Sequence, residues 1–328
     1  MSGSPGRRTA LVENRSPAPR RACDAATVDM HPGQLSVPPA TVRRLVAEQF
    51  PQWQHLPVRP VPSPGTVNAI FRIGDDFVAR FPLLADDGAE AVRGHLNAEV
   101  SAAEELAGRT RFATPRPVAL GVPGAGYPLP WLVNTWVPGV PATADSHRDS
   151  ARFAEDLGDF IDAVRTLDAR GRTYDGDGRG GDLLSHDEWM QECLAHSEGL
   201  LDVATLRAVW AEMRDLPRGD TPDVMSHCDL IPPNLLFAEE RLIGVLDVGG
   251  LGAADPALDL VSAWHLFEAA PRRVLRDRLG SDDAEWERGR AWAFEQAMGV
   301  VWYYVQSSPA MSAGCRRTLE RIVSDIRS

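Results

Sequence analysis

The stretch Ser226–Gly252, SHCDLIPPNLLFAEERLIGVLDVGGLG, concentrates the residues of this chain that could do chemistry. His227, Asp229 and Asn234 fall on a short irregular segment, and the β-type run Leu242–Leu246 then delivers Asp247. A carboxylate, an amide five residues on and a second carboxylate thirteen residues later are the groups that Mg²⁺-assisted phosphoryl transfer needs. Mg²⁺ is a hard cation that takes one or two oxygen ligands from protein and the others from phosphates and water. Asn234 and Asp247 are the expected ligands. That leaves Asp229 to orient an attacking hydroxyl and accept its proton.

Each of these residues alone is ordinary, since an Asp after an apolar strand often only caps a turn. The combination is not. H-x-D-x-x-x-x-N, a hairpin-like return and D-x-G (Asp247-Val248-Gly249) together form the pattern of a protein-kinase-like catalytic loop and metal loop. With the continuation Asp255-Pro256-Ala257-Leu258-Asp259-Leu260, the chain resembles the aminoglycoside phosphotransferase family of small-molecule kinases. The resemblance spans about residues 60–265. It implies an α+β, protein-kinase-like bilobal fold: an N-lobe antiparallel sheet with one helix, then a mostly helical C-lobe. It also implies ATP or GTP as phosphate donor, with Mg²⁺.

A triphosphate needs donors above it and a cation beside it. Ser63, Gly65 and Thr66, in Ser63-Pro64-Gly65-Thr66 before the first long strand, are small enough to bring backbone N–H groups close to phosphate. The stretch lacks G-x-G-x-x-G and, taken alone, reads better as a plain turn. The cation is expected from the middle of the next strand, where Val78-Ala79-Arg80-Phe81 offers Arg80. Many kinases of this type carry Lys there, and Arg80-Phe81-Pro82 fits a branch whose strand resembles V-x-R-x-P. Arg is longer and planar and never deprotonates. Glu99, on the N-lobe helix, is the expected counter-charge, ahead of Glu104 and Glu105. The resemblance further implies that adenine meets the backbone of Asn134–Val137, with Thr135 and Val137 as contacts. In the catalytic loop, His227 is expected to support the backbone. Cys228 stands where the family has a small residue and is expected to face the core. Pro232-Pro233 should stiffen the loop. Asp255 and Asp259 are expected to be caps and anchors.

Composition narrows the alternatives. Lysine is absent, so all 34 basic residues are Arg. A Walker A loop and a lysine Schiff base are thereby excluded. The net charge of −12 argues against nucleic-acid binding. Five Arg and three acids give residues 1–29 a charge of +2, leaving −14 elsewhere, a surface that would draw a cationic small molecule. No apolar run is long enough to span a membrane, and no secretory signal is evident. Cys23, Cys193, Cys228 and Cys315 show neither disulfide nor metal spacing. A cytoplasmic protein, with no nucleic-acid or membrane partner, is the expectation.

These groups must be held by elements the pattern also suggests. Residues 1–29 read as a disordered leader with Met30 as a candidate start, residues 30–138 as the nucleotide-binding N-lobe and 139–328 as the C-lobe. A helix is expected over Pro39–Gln49, a hairpin over Val67–Ile73 and Phe77–Phe81, a helix over Ala89–Ala107 and a strand over Trp131–Val137. Phe153, Leu157, Phe160, Ile161, Val164 and Leu167 recur at helical spacing. Residues 171–185 form a Gly- and Asp-rich loop. Its Asp175-x-Asp177 fails as a calcium site, because Arg179 and His186 occupy ligand positions. Further helices are expected near 186–199, 202–215, 256–269, 284–306 and 313–326.

The acceptor is the least determined part. Asp182, Asp187, Glu188, Glu192, Trp264, Glu268, Trp302 and Tyr303 are candidate contacts for a small-molecule substrate, with a polycationic aminoglycoside the first expectation. A macrolide, a peptide antibiotic or a metabolic alcohol such as choline, homoserine or a sugar would use the same chemistry. A nucleotide-binding scaffold without turnover is the competing reading from another class.

Overall fold

The computed structural model describes residues 34–62, 67–84, 88–176 and 178–327. The expected leader, Met30, Ser63, Gly65 and Thr66 lie outside the described residues. Helix α1 (Pro39–Gln49) precedes an antiparallel sheet built from β1 (Val58–Pro60), β2 (Asn68–Ile73), β3 (Phe77–Pro82), β4 (Pro117–Gly121) and β5 (Trp131–Thr135). The spatial order is β1-β2-β3-β5-β4, with helix α2 (Gly88–Leu106) between β3 and β4 in sequence. Aromatic packing fixes the sheet's inner face. Phe81 stacks on Trp131 at 4.7 Å between ring centroids and meets Phe71 and Tyr127 edge-on. Burying each such ring is worth about 1.5–3 kcal/mol. The Tyr127 hydroxyl donates to Pro82 O at 2.7 Å, so its polar end is satisfied.

The strand expected over Trp131–Val137 stops at Thr135. Two short strands, β1 and β4, carry no clear alternation; they are recruited by pairing with β2 and β5.

The second part of the chain is largely helical: α3 (Ala151–Arg165), α4 (Asp187–His196), α5 (Val203–Met213), α6 (Val261–Leu266), α7 (Ala269–Leu279), α8 (Asp283–Val301) and α9 (Pro309–Arg327). Ser150 caps α3 by accepting from Phe153 N, and Phe153, Leu157, Phe160, Ile161 and Val164 are fully buried along one face. The single helix expected over 256–269 is corrected. A 3-10 turn (Leu258–Leu260) leads into α6, the chain extends at Phe267 and Glu268, and α7 follows. Tertiary bonds hold that break: Glu268 N donates to Arg148 O at 2.8 Å, and Arg272 donates to Phe267 O at 2.7 Å. The helix expected over 284–306 ends at Val301.

Two small sheets interrupt the helices. Strands β6 (Val140–Pro141), β8 (Leu235–Ala238) and β9 (Arg241–Val245) form one, and β7 (Val224–Ser226) with β10 (Gly252–Ala254) forms the other. The chemistry-bearing loops leave the ends of these strands.

Candidate active site

Strand register brings the expected ligand residues together. Leu235 pairs with Val245 across β8 and β9, so Asn234 and Leu246 face each other at the hairpin's open end. Leu246 N donates to Asn234 O at 2.7 Å. Asp247, the next residue, adopts a left-handed backbone (φ 56°) that turns it out of the strand direction. The other pair, β7 with β10, matches Ser226 to Gly252 and carries residues 227–229 to the same edge.

The loop from His227 to Asn234 is fixed by its own side chains. His227 is fully buried; Nε2 donates to Leu246 O at 3.0 Å, and Nδ1 accepts from Asp229 N at 3.3 Å. One ring nitrogen therefore donates and the other accepts, as in neutral imidazole. Asp259 accepts from His227 N at 2.9 Å and from Cys228 N at 3.1 Å. This clamp turns Cys228 into a left-handed conformation (φ 69°). Cys228 abuts the core but is only half-buried and also lines the adjoining cleft, which departs from the inward placement expected of it. Burial and the nearby Asp259 carboxylate push its thiol up to about 12. Pro232 and Pro233 open a short 3-10 turn, and Asn234 N closes it on Ile231 O at 3.0 Å.

Asp229 is held from three sides. Asn234 Nδ2 donates to its carbonyl at 3.0 Å and its carboxylate at 3.1 Å, and Gln296 Nε2 donates to Oδ1 at 3.0 Å. Arg179 approaches the same Oδ1 at 3.5 Å. Burial lifts the Asp229 carboxyl above its ordinary value, while the Arg179 charge pulls against that rise.

On the opposite wall, Arg80 of β3 joins the two halves of the site. One guanidinium nitrogen binds Glu99 on α2, and the other donates to Asp247 Oδ1 at 2.9 Å. Burial disfavours the charged guanidinium, but Asp247 and Glu99 outweigh it and raise the Arg80 pKa. Asn134 and Leu132 of β5 face the same crevice, and Asn134, 4% exposed, has a buried Oδ1 with no hydrogen-bond partner. At the strand's end, Thr135 Oγ1 accepts from Arg116 N at 3.0 Å, and Val137 is buried.

The donor set of Asn234 and Asp247 suits a hard cation. The Asn234 amide nitrogen is committed to Asp229, which leaves its carbonyl oxygen as the end that could meet a cation; Asp247 keeps a second carboxylate oxygen beyond the one on Arg80. Both are oxygen donors, in keeping with Mg²⁺ bound through few protein ligands.

Asp255 accepts twice from Arg288, 2.7 Å at Nε, and Arg288 also bonds Leu216 O and Gly181 O. This buried cluster ties β10 to α8 and touches no reacting position. The expected acceptor contacts are scattered. Asp187 binds Trp210 and Arg214, Trp264 is buried against Asp325, Glu268 pairs with Arg321, and Trp302 stacks on His196. Asp182 caps the 3-10 turn Leu183–His186. Sequence reading missed the site roles of Arg179 and Gln296, and gave Asn134 only as the start of the backbone segment expected to meet adenine. Nothing in the local sequence of Arg179 and Gln296 marks them, because each reaches the site only through tertiary packing.

A cleft of about 750 Å³ opens beside Asp229, with Arg179, His186, Trp189, Cys228, Gly250 and Ala254 in its lining. Among the described residues, no helix is long and apolar enough to cross a membrane.

Comparison with known proteins agrees with this architecture. The phosphotransferase enzyme family (APH) matches residues 58–292. The aminoglycoside 3'-phosphotransferase of Salmonella typhimurium is 27% identical over 164 residues, which cover 47% of this chain and 60% of the relative. A second aminoglycoside 3'-phosphotransferase, from Escherichia coli, matches with the same identity and coverage, so the chain spans 60% of the length of these curated relatives. Among solved structures, the GDP and kanamycin complex of an APH(2") enzyme superposes with a TM-score of 0.66 at 18% identity, covering 87% of this chain and 99% of that one. The macrolide 2'-phosphotransferase MphH from Brachybacterium faecium superposes with a TM-score of 0.58 at 18% identity, covering 85% and 97%. The protein has the bilobal kinase-like fold of these enzymes, and this chain belongs to the phosphotransferase enzyme family.

Proposed function

We propose that this protein is an ATP-dependent O-phosphotransferase acting on a hydroxyl of a small molecule, with Asp229 as the catalytic residue. The observation that carries this reading is the pairing of Arg80 with both Glu99 and Asp247, opposite an Asp229 oriented by Asn234 and Gln296. Arg80 steers the phosphate chain, and its carboxylate partners fix its direction. Asp229 receives the acceptor's hydroxyl proton. The acceptor oxygen bonds to the γ-phosphorus as the bond from that phosphorus to the β–γ bridging oxygen breaks, and the nucleoside diphosphate departs. Mg²⁺, held by Asn234 and Asp247, would neutralise charge on the phosphates.

Thr135 N and Trp136 N are committed to Arg116 O and Asp76 O. The base would therefore take the Val137 N–H, with Thr135 contributing its carbonyl. Ser63, Gly65 and Thr66 would cover the phosphates, and the lobe boundary would fall at 138/139. Asp259 and His227 act through the loop they hold, and Asp255 acts through its tie to α8. Because relatives bear the names of aminoglycoside and macrolide phosphotransferases, antibiotics of these kinds, with a role in resistance, lead the acceptor classes.

The test is transfer of labelled γ-phosphate from ATP and GTP, with and without Mg²⁺, to a panel of aminoglycosides, macrolides, peptide antibiotics and simple alcohols. Magnesium-dependent label on at least one class supports the reading. Nucleotide binding with no labelled product on any class would move it to a non-catalytic scaffold.

A further inference from the structure

The walls of the cleft beside Asp229 are not uniformly acidic, although the chain as a whole carries a net charge of −12. Its charged lining residues are Arg172, Asp175, Arg179, His186 and Glu295. Most are already matched. Arg172 forks onto Glu105 at 2.6 and 2.9 Å. Glu295 is engaged by His186 Nδ1 at 3.1 Å, while His186 Nε2 faces Gly178 O at 3.1 Å. With acceptors at both ring nitrogens, His186 is favoured as the imidazolium. Asp175 has its own partner.

Arg179 is different. Its only ion pair among the described residues is Asp229, at 3.5 Å, well beyond the roughly 2.7–2.9 Å of a charge-assisted bond. Its side chain is 28% exposed, and its Nε is buried without a partner. The backbone on either side is pinned: Gly178 O accepts from Tyr174 and His186, Gly180 O accepts from Asp255 N at 2.9 Å, and Gly181 O accepts from Arg288. A pre-positioned guanidinium loses little freedom on binding a planar anion.

We infer that Arg179 is an anion-recognition point in the acceptor cleft, so that the acceptor carries an oxyanion group, carboxylate or phosphate, near its reacting hydroxyl. The inference rests on the phosphotransferase reading, and where it holds an anionic alcohol displaces the aminoglycoside and macrolide classes as the acceptor. Asp229 and Arg179 then divide the work: the carboxylate takes the hydroxyl, and the guanidinium takes the anion beside it. Replacing Arg179 removes discrimination by charge and leaves the Arg80, Glu99 and Asp247 wall intact.

The experiment is titration calorimetry of the protein with Mg²⁺ and ADP, using four probes of similar size: glucuronate, glucose 6-phosphate, glucose and glucosamine. Glucuronate and glucose 6-phosphate separate the two sources of the anion. The expected result is roughly tenfold tighter binding of at least one anionic probe than of glucose or glucosamine, the scale of one charge-assisted hydrogen bond. Arg179→Gln should abolish that preference, and Arg179→Glu should turn it toward glucosamine. Equal or inverted preference in the wild type, or a preference that Arg179→Gln retains, overturns the inference. So does weaker binding of ATP relative to ADP in Arg179→Gln with probe selectivity unchanged, which would place the guanidinium on the γ-phosphate. Since this readout is binding, it is separate from the labelled-transfer test of the kinase reading.

Discussion

A Cβ placed on Gly249 would come within 2.5 Å of Glu99 Cγ. The glycine of Asp247-Val248-Gly249 is thus the surface against which α2 lays the carboxylate that aligns Arg80. Gly249→Ala should push Glu99 away and loosen the Arg80 contacts, at a cost of about 1–3 kcal/mol for the overpacked site. The expected outcome is a raised KM for ATP and a lower kcat, with thermal unfolding only modestly affected. Steady-state kinetics beside a melting curve checks this; unchanged kinetics would mean that Glu99 is not needed in its present position.

Arg80 makes two charge-assisted contacts with one planar group. Lysine has a single charged nitrogen and cannot reproduce that fork. Losing one such bond costs about 1.5–3 kcal/mol, so Arg80→Lys should weaken ATP binding about 10- to 100-fold. Equilibrium binding of ATP to the two proteins measures it. Equal affinity would show that one contact suffices, as in kinases with Lys at this place.

Burial raises the Asp229 carboxyl, and Arg179 opposes the rise. The carboxylate must be ionised to accept a proton, so activity should fall on the acid side at a pH above the ordinary Asp value of about 4. In Arg179→Gln the opposing cation is gone. The Asp229 pKa then rises further, and the acid limb of kcat/KM moves to higher pH. A pH–rate profile of both proteins on one acceptor decides, and a limb that stays in place or moves down would count against Asp229 as the titrating group.

Asp255 and Arg288 are 3% and 2% exposed and bonded to each other. Arg288→Ala strands a buried carboxylate and should destabilise the fold by about 3–5 kcal/mol, measured by urea unfolding. Replacing both residues by apolar ones of similar volume should cost much less. If the single and double replacements cost the same, the pair's role lies in the bonds Arg288 makes to Leu216 and Gly181 instead.

The sequence displayed what is local. Asn234 and Asp247 are separated by a hairpin whose length sets their register, and Asp229 lies on the short loop just before Asn234, so spacing alone predicts that the three come to one edge. Arg80 and Glu99 followed from a strand and the next helix, and they do touch. Long-range placement was not legible. Gln296 reaches Asp229 from α8, 67 residues on, and Arg179 arrives on a loop that reads only as Gly- and Asp-rich. Helix α7 was hidden because the break before it depends on Arg148 and Arg272, not on local periodicity. Strands β1 and β4 were hidden because pairing with neighbours creates them. The acceptor candidates chosen by residue type mostly serve packing and ion pairs.

The most direct test of the account is single-turnover transfer of labelled γ-phosphate by wild type and Asp229→Asn, with Mg²⁺-ATP binding measured on the same samples. Asp229→Asn keeps the shape and most of the hydrogen bonds but cannot take the proton. The account predicts a rate lower by about 10²–10⁴ with ATP affinity within a few-fold of wild type. Transfer at the wild-type rate in Asp229→Asn would contradict it.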